Sequence, residues 1–179
     1  MLYLHLAEGF EEIEAVTVVD ILRRARFDIQ TVSLTGSLDV TGAHGITISA
    51  DTIIEKADYD DCDMIILPGG MPGTVNLAQS EILMNRIREF AEGNKYVAAI
   101  CAAPMVLAAA GILQGKKATI YPGMENKLEG AKVKKDTVVT DGRIITSKGP
   151  GTAMEFALVI VELLRGKPIA STLKKDLIF

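Results

Sequence analysis

Cys101 is the residue whose position in the sequence points most directly to chemistry. The apolar run Val97–Ile100 is typical of a buried strand, and it passes straight into a predicted helix with Cys101 at the join. Such a turn holds a nucleophile above a sheet, and Ala102 and Ala103 are small enough to permit it. The helix N-terminus favours the thiolate, so we expect a pKa below the ordinary ~8.5. The alternative is an inert core cysteine, since free cysteine is among the most buried residue types.

Glu14 is the second candidate, because apolar residues flank it in the predicted first helix. That setting indicates a helix face turned towards a sheet, where burial favours the protonated form of a carboxyl group. Near Cys101, such a carboxyl could donate a hydrogen bond to the thiolate and later relay a proton. The alternative is a solvated acid beside Glu11 and Glu12, since the first turn of a helix favours negative charge.

The remaining candidate motifs give no support for a cofactor or a metal. The segment Pro68–Gly73 could present backbone N–H groups to an anion or a carbonyl oxygen. It lacks both the dinucleotide-binding spacing and the ending of a phosphate loop, so NAD and ATP are not expected. The cysteines Cys62 and Cys101 and the histidines His5 and His44 fit no zinc pattern. We therefore predict no metal site and regard Cys62 as a bystander.

Short apolar runs alternate with helical patterns along the chain, which predicts one α/β domain spanning residues 1–179. The sheet should be mostly parallel with helices on both faces, because its strands are apolar throughout. A glycine-rich stretch over 35–49 predicts a small antiparallel excursion. The predicted strands are Leu2–Leu6, Ile29–Leu34, Met64–Leu67, Val97–Ile100, Ala118–Ile120, Val138–Thr140 and Ile144–Thr146. The predicted helices are Glu11–Arg26, Asn76–Glu92, Ala102–Ala110 and Ala153–Leu164.

Four of the predicted strands are followed by segments of unusual composition. In an open α/β sheet, ligands bind beyond the carboxyl ends of the strands. We therefore expect these four segments to meet at one edge of the sheet and to form the site: Ala7–Glu14, Pro68–Gly73, Cys101–Pro104 and Ser147–Thr152.

Charge and composition exclude several classes of partner. The chain has 19 basic and 23 acidic residues and a net charge of −4, whereas nucleic acids and anionic membranes require a basic surface. Aromatic residues make up 5% and tryptophan is absent, so platforms for stacking bases are poorly supplied. The chain starts without a basic, apolar leader, and we expect a cytoplasmic location.

Four motifs occur along the chain in the following order: Glu11-Glu12-Ile13-Glu14, Leu67-Pro68-Gly69-Gly70, Ala99-Ile100-Cys101-Ala102-Ala103-Pro104 and Ser147-Lys148-Gly149-Pro150-Gly151-Thr152. Together they resemble the ThiJ/PfpI superfamily, on the branch of the Parkinson-disease-associated protein deglycase. The resemblance runs from the first strand to the last long helix, and it implies a flavodoxin-like three-layer sandwich that forms a homodimer.

The resemblance also implies roles for single residues. Cys101 would be the nucleophile, with Glu14 as its protonated hydrogen-bonding partner. The backbone N–H groups of Gly70 and Ala102 would stabilise an oxyanion. Relatives with protease activity carry histidine directly after the nucleophile, so the alanine at position 102 makes a peptidase unexpected.

Four further positions match the family at the rim of the site and at the subunit contact. His44 stands where many relatives place an arginine or histidine that reaches the partner's site. Tyr121 stands where the deglycase branch often has histidine, and a phenol is a poor base at neutral pH, so Glu14 would carry the proton transfer. Asp20 and Arg24 match positions near the dimer contact.

Two functions follow from the resemblance. The first is a cofactor-independent enzyme that acts through a Cys101 hemithioacetal on 2-oxoaldehydes or on glycated side chains, as a glyoxalase or deglycase. The alternative is a non-catalytic redox sensor or chaperone of the oxidative-stress response, in which Cys101 is oxidised to the sulfinic acid.

Overall fold

A seven-stranded sheet runs through the centre of the molecule. The computed structural model describes all residues, 1–179. The strand order is β10-β11-β7-β6-β1-β2-β5, in which only the edge strand β10 is antiparallel to its neighbour. The strands of this sheet are β1 (Leu2–Leu6), β2 (Ile29–Ser33), β5 (Thr52–Ile53), β6 (Met64–Leu67), β7 (Tyr96–Ile100), β10 (Val138–Asp141) and β11 (Ile144–Ser147). The predicted mostly parallel sheet is confirmed, and its strand order is that of a flavodoxin-like fold.

Two small ribbons complete the strands. The strands β3 (Asp39–Thr41) and β4 (Thr47–Ser49) form the predicted antiparallel excursion. The strands β8 (Lys117–Ala118) and β9 (Lys132–Val133) pair in parallel. The predicted strand Ala118–Ile120 is wrong beyond residue 118, because the backbone N–H of Thr119 donates to the side chain of Thr146 rather than to a strand.

Helices cover both faces of the sheet, as predicted, and make the molecule a three-layer sandwich. They are α1 (Glu12–Arg24), α2 (Gly73–Gln79), α3 (Glu81–Glu92), α4 (Pro104–Ala109), α5 (Ala153–Arg165) and α6 (Lys167–Asp176). The predicted single helix Asn76–Glu92 is wrong, because Ser80 interrupts it and its hydroxyl caps α3 by accepting from the N–H of Leu83 at 3.3 Å. The final helix α6 was not predicted.

The apolar core lies in two layers, one on each face of the sheet. Successive side chains of a strand point to opposite faces, so Leu2, Leu4 and Leu6 of β1 pack beneath α1 and α5. Tyr3 and Ala7 pack on the other face with residues of α3 and α4. None of the helices is both long enough and apolar enough to cross a membrane.

Helix α1 turns a different face to the sheet from the one that its sequence predicts. The spacing predicts a buried stripe over Ile13, Val16, Val19 and Leu22. Leu22 is buried, but Ile13 and Val16 are 57% and 52% exposed, and the buried positions include Glu14, Ala15, Val18 and Ile21. The helix therefore carries one apolar face towards the core and a second one towards solvent.

His5 is a fully buried imidazole in the core between the sheet and helix α3. Its Nε2 lies 2.7 Å from the hydroxyl of Tyr59, and its Nδ1 has no hydrogen-bond partner. Burial lowers its pKa from 6.5 to about 3. Below about pH 6.5, His5 binds a proton in the unfolded chain but not in the folded chain. The free energy of unfolding must therefore fall as the pH drops below about 6.5.

We expect the variant His5→Gln to remove this acid sensitivity, because an amide can still bond to Tyr59 but does not titrate. As the pH falls from 6.5 towards 3, the parent should lose stability relative to the variant. The gap between their free energies of unfolding should grow by about 1.4 kcal/mol per pH unit. Urea unfolding between pH 4 and pH 8 measures it. A difference that does not change with pH would show that His5 titrates normally in the folded chain.

Candidate active site

The four loops expected to converge do meet at one edge of the sheet. They follow the neighbouring parallel strands β1, β6, β7 and β11, so their carboxyl ends lie side by side. The register pairs Leu67 with Ala99 and Ser147 with Ile100. The N–H of Cys101 extends this pairing by donating to the carbonyl of Ser147 at 3.0 Å. Hydrogen bonds of the sheet backbone alone thus fix the position of the Cys101 backbone.

Cys101 lies in the sharp turn between β7 and α4, as predicted. Its φ of +64° is in the left-handed region, which a non-glycine residue adopts at a cost of about 1–3 kcal/mol. The side chain is only partly buried, while Ile100 and Ala102 on either side are buried. The strained backbone exposes the sulfur of Cys101 within a segment that is otherwise buried. This indicates that the residue serves a chemical role rather than a role in core packing.

Glu14 reaches the same point from the first turn of α1, where it is completely buried. Its Oε2 accepts a hydrogen bond of 2.7 Å from the N–H of Gly69, and the carboxyl group lies close enough to the thiol of Cys101 for each group to shift the pKa of the other. Its Oε1 is buried without a hydrogen-bond partner. The bond from Gly69 holds one oxygen of the carboxyl group, and the other oxygen remains free to accept or carry a proton.

The proton affinities of this pair differ in part from the expectation. Burial raises the pKa of Glu14 to about 7, as predicted in direction, although the bonds from Gly69 and Cys101 oppose the rise. The expectation of a lowered thiol pKa is wrong: burial, and then the charge of Glu14, raise the pKa of Cys101 to about 12. The sulfur therefore keeps its proton when Glu14 ionises, and between about pH 7 and pH 12 the pair holds one proton, which lies on the sulfur.

Two backbone N–H groups lie near the sulfur. Those of Ala102 and Gly70 favour negative charge on Cys101 and oppose the rise in its pKa. Gly70 has a φ of +91°, and a Cβ at this position would collide with the backbone of Glu11 and Gly9. Both predicted donors are thus brought beside Cys101, where they could also bind an oxyanion.

Tyr121 lies at the rim of the site and contacts Cys101 through its backbone. Its N–H donates to the carbonyl of Cys101 at 2.9 Å, and its ring lies over Gly149. The side chain is 47% exposed, and the phenol hydroxyl makes no hydrogen bond. The ring can therefore border the entrance without being fixed in a catalytic position.

His44 contacts acidic residues of α1 rather than Cys101 within one chain. Its Nδ1 lies 2.8 Å from Glu12 and 3.6 Å from Glu11, and these contacts raise its pKa, chiefly through the hydrogen bond to Glu12. The ligand atoms of the three residues lie within 4.8 Å of one another, so they are the group that could hold a metal ion. This grouping could not be detected from local sequence patterns, because 32 residues separate Glu12 from His44.

Asp20 and Arg24 lie away from the sulfur, on the exposed side of α1. They form an ion pair of 2.7 Å one helical turn apart, with about half of each side chain exposed. Their place near a subunit contact stays a prediction.

Gly69 is a site residue that the sequence did not single out from its loop. A Cβ on Gly69 would lie 2.5 Å from the Cβ of Cys101 and 3.0 Å from Oε2 of Glu14. Its carbonyl accepts from the N–H of Glu11 at 2.9 Å, so this residue ties the start of α1 to the loop after β6. The paired glycines were a visible signal, but only the packing shows which atoms they accommodate.

Comparison with known proteins agrees with this geometry. The family model described as the DJ-1/PfpI family matches residues 2–163, which is most of the chain. The chain belongs to the DJ-1/PfpI family. The solved structures that this chain resembles include that of Toxoplasma gondii DJ-1 in an oxidized form, with a TM-score of 0.96, 34% identity, and coverage of 99% of this chain and 97% of that one.

Curated DJ-1 relatives share the whole domain. Protein DJ-1 homolog B of Arabidopsis thaliana is 42% identical over 171 residues, which is 95% of this chain but only 39% of the plant protein's length. A Caenorhabditis elegans relative named glutathione-independent glyoxalase DJR-1.2 is 36% identical over 171 residues, covering 95% of this chain and 91% of its own. The recognised superfamily and fold are thereby confirmed.

The variant Gly69→Ala tests the tight approach at the centre of this DJ-1/PfpI site. The added methyl group must push Cys101 and Glu14 apart, so we expect a loss of stability of about 1–3 kcal/mol and a change in alkylation of Cys101 by iodoacetamide of at least about tenfold. Gly151→Ala is the matched control, since a Cβ there meets nothing within 4 Å. Equal alkylation rates in both variants and the parent would contradict the assigned packing.

Proposed function

We propose that this protein is a cysteine-dependent, cofactor-independent enzyme that converts small 2-oxoaldehydes into 2-hydroxy acids. The observation that carries the proposal is the approach of the buried Glu14 carboxyl group to the partly exposed thiol of Cys101, with the backbone N–H groups of Gly70 and Ala102 beside the sulfur. The name of the Caenorhabditis elegans relative, a glutathione-independent glyoxalase, supports the same reaction class. Adducts of such aldehydes on protein side chains are the second substrate class that we propose for this site.

The first step of the proposed reaction is addition of the thiol to the aldehyde carbon. The S–H proton passes to ionised Glu14 as the carbon–sulfur bond forms, which avoids free thiolate in a site where burial disfavours it. The aldehyde oxygen becomes an oxyanion, and the N–H groups of Gly70 and Ala102 stabilise it. Return of the proton from Glu14 to this oxygen gives the hemithioacetal.

The next steps move a proton between two carbons and release the product. Glu14 removes the proton from the former aldehyde carbon, which gives an enediolate with its negative charge on the neighbouring oxygen. The hydroxyl proton on the first carbon's oxygen passes to that neighbouring oxygen, and Glu14 delivers its proton to the neighbouring carbon, which leaves a thioester of a 2-hydroxy acid on Cys101. Water then cleaves the thioester, and the thiol regains its proton. The sum is the aldehyde plus water giving the hydroxy acid, with no change in the total number of electrons and no need for a cofactor.

Redox sensing is a second candidate function, because the same groups suit an oxidised sulfur. The partly exposed Cys101 is open to peroxide, and the N–H groups of Gly70 and Ala102 could bind sulfinate oxygens. The other cysteine, Cys62, is fully buried and donates to the carbonyl of Met64, and burial raises its pKa to about 11.

Both thiols are free, which supports our proposal of a reducing, cytoplasmic location.

We also propose that the chain forms a homodimer through the outer face of α1 and the β3–β4 ribbon. Ile13, Val16 and Ile46 are each more than half exposed on this side of the molecule. The N–H of Ile46 lies 3.4 Å from a carboxylate oxygen of Glu12, so the ribbon and the helix form one continuous surface. Exposed aliphatic residues in such a surface are typical of an interface between copies.

The catalytic proposal predicts that Cys101→Ser and Glu14→Gln each lower lactate production from methylglyoxal by at least about a hundredfold. The parent rate should fall about tenfold per pH unit below pH 7, where Glu14 becomes protonated, and should stay level at higher pH because the thiol pKa lies near 12. A coupled assay for lactate across pH 5 to pH 9 measures both effects.

Cys62→Ala is the control, since Cys62 lies on the opposite face of the sheet in the other core layer, and it should keep the parent rate. Undiminished turnover in Cys101→Ser or Glu14→Gln would exclude the mechanism. Absence of turnover in the parent, together with addition of two oxygens to Cys101 by mild peroxide in a mass spectrum, would favour the sensor instead.

For the homodimer, we expect the variant Val16→Asp to dissociate the chain into monomers, since it would bury an unpaired charge between two copies. Light scattering after size exclusion gives the mass. Glu162→Gln is the control on the exposed side of α5 and should remain dimeric. A parent mass of 19.2 kDa, that of one chain, would refute the proposal.

A further inference from the structure

A charged cleft lies at the edge of the sheet opposite to Cys101. It has a volume of about 640 Å³ and lies at the amino ends of the strands, between the loops that lead into β1, β2, β6, β7 and β11 and the end of α5. This volume is within the range of small-molecule sites, roughly 300–1,000 Å³. The proposed catalytic reaction makes no use of the cleft.

The charge of the cleft is opposite in sign to that of the whole molecule. Its lining includes four cationic side chains and two carboxylates, whereas the chain as a whole carries −4. One carboxylate, Asp63, is already paired with the terminal amine of Met1 at 3.2 Å. The charged side chains of the lining are Arg26, Asp28, Asp63, Lys95, Arg143 and Arg165.

Two of the arginines are held in place by aromatic rings. The guanidinium carbon of Arg143 lies 4.3 Å from the centre of the Tyr96 ring, and that of Arg165 lies 4.7 Å from the centre of the Phe27 ring. Stacking of this kind restrains the planar group and leaves its N–H donors pointing outwards around its edge. The cost of ordering these side chains on binding is thereby reduced.

The donors of these arginines are largely uncommitted. Arg143 and Arg26 form no ion pair and donate no side-chain hydrogen bond, and Arg165 uses one N–H on the carbonyl of Arg26 at 2.9 Å. Lys95 differs, because its ammonium group is occupied by the carbonyls of Tyr59 and Asp60. Three arginines without carboxylate partners therefore face one cleft.

We propose that this cleft is a binding site for a small phosphate-bearing anion. Guanidinium groups match phosphate oxygens with paired N–H donors, and the multiple charge of a phosphate group suits several arginines at once. The local excess of positive charge attracts the ligand to this side of a molecule that otherwise repels anions.

The test is calorimetric titration of the full chain with inorganic pyrophosphate, in parallel with the tricarboxylate citrate. We expect saturable binding of one pyrophosphate with a Kd below about 1 mM, and citrate at least about tenfold weaker. Arg143→Gln and Arg165→Gln should each weaken pyrophosphate binding by about tenfold or more. Arg143→Lys, which keeps the charge but loses the planar fork, should fall between the parent and Arg143→Gln.

Arg88→Gln is the control, because Arg88 is an exposed arginine of α3 that bonds to Asn85. It should bind like the parent, and thermal unfolding of every variant shows whether it is folded. Binding that the Arg143 and Arg165 variants leave unchanged, citrate binding as tight as pyrophosphate, or no saturable binding would overturn the proposal. Turnover at Cys101 is measured separately, so either result leaves the catalytic proposal intact.

Discussion

The coupling between the Glu14 carboxyl group and the Cys101 thiol is the interaction on which the rest of the site depends. Both groups are removed from water, and burial makes each of them resist ionisation. A pair in which one partner takes up the proton that the other releases avoids creating two charges. The N–H of Gly69 and the donors around the sulfur then decide where the remaining negative charge lies.

The parallel sheet explains why this pair can be held so closely. Four neighbouring strands end at the same level, and each contributes one part of the site: the helix with Glu14, the loop with Gly69 and Gly70, the turn with Cys101, and the backbone carbonyl of Ser147. No side chain longer than hydrogen fits at position 69, so the spacing is set by backbone contact. The opposite edge of the same sheet is free to form the arginine-lined cleft.

Much of this arrangement could be predicted from the sequence, because local signals determine it. Apolar strands and their turns located Cys101 at the carboxyl edge, and an acid among apolar residues located Glu14. Contacts between distant segments could not be predicted: the pairing of His44 with Glu12, the close approach at Gly69, and the direction of the thiol pKa all require packing. Helix α1 is another case in which local pattern is insufficient. The periodicity of Ile13 and Val16 indicates an apolar helix face but does not indicate whether that face packs on the sheet or lies in solvent.

The long sequence separations within the site have a consequence for biosynthesis. Glu14, Gly69, Cys101 and Ser147 meet only after strands from both halves of the chain have paired, and contacts of such separation form late in folding. Until then, the nascent polypeptide holds an ordinary thiol, without a base or oriented amides beside it. The special reactivity of Cys101 therefore arises only in the complete tertiary structure. A truncated or misfolded chain would lack it.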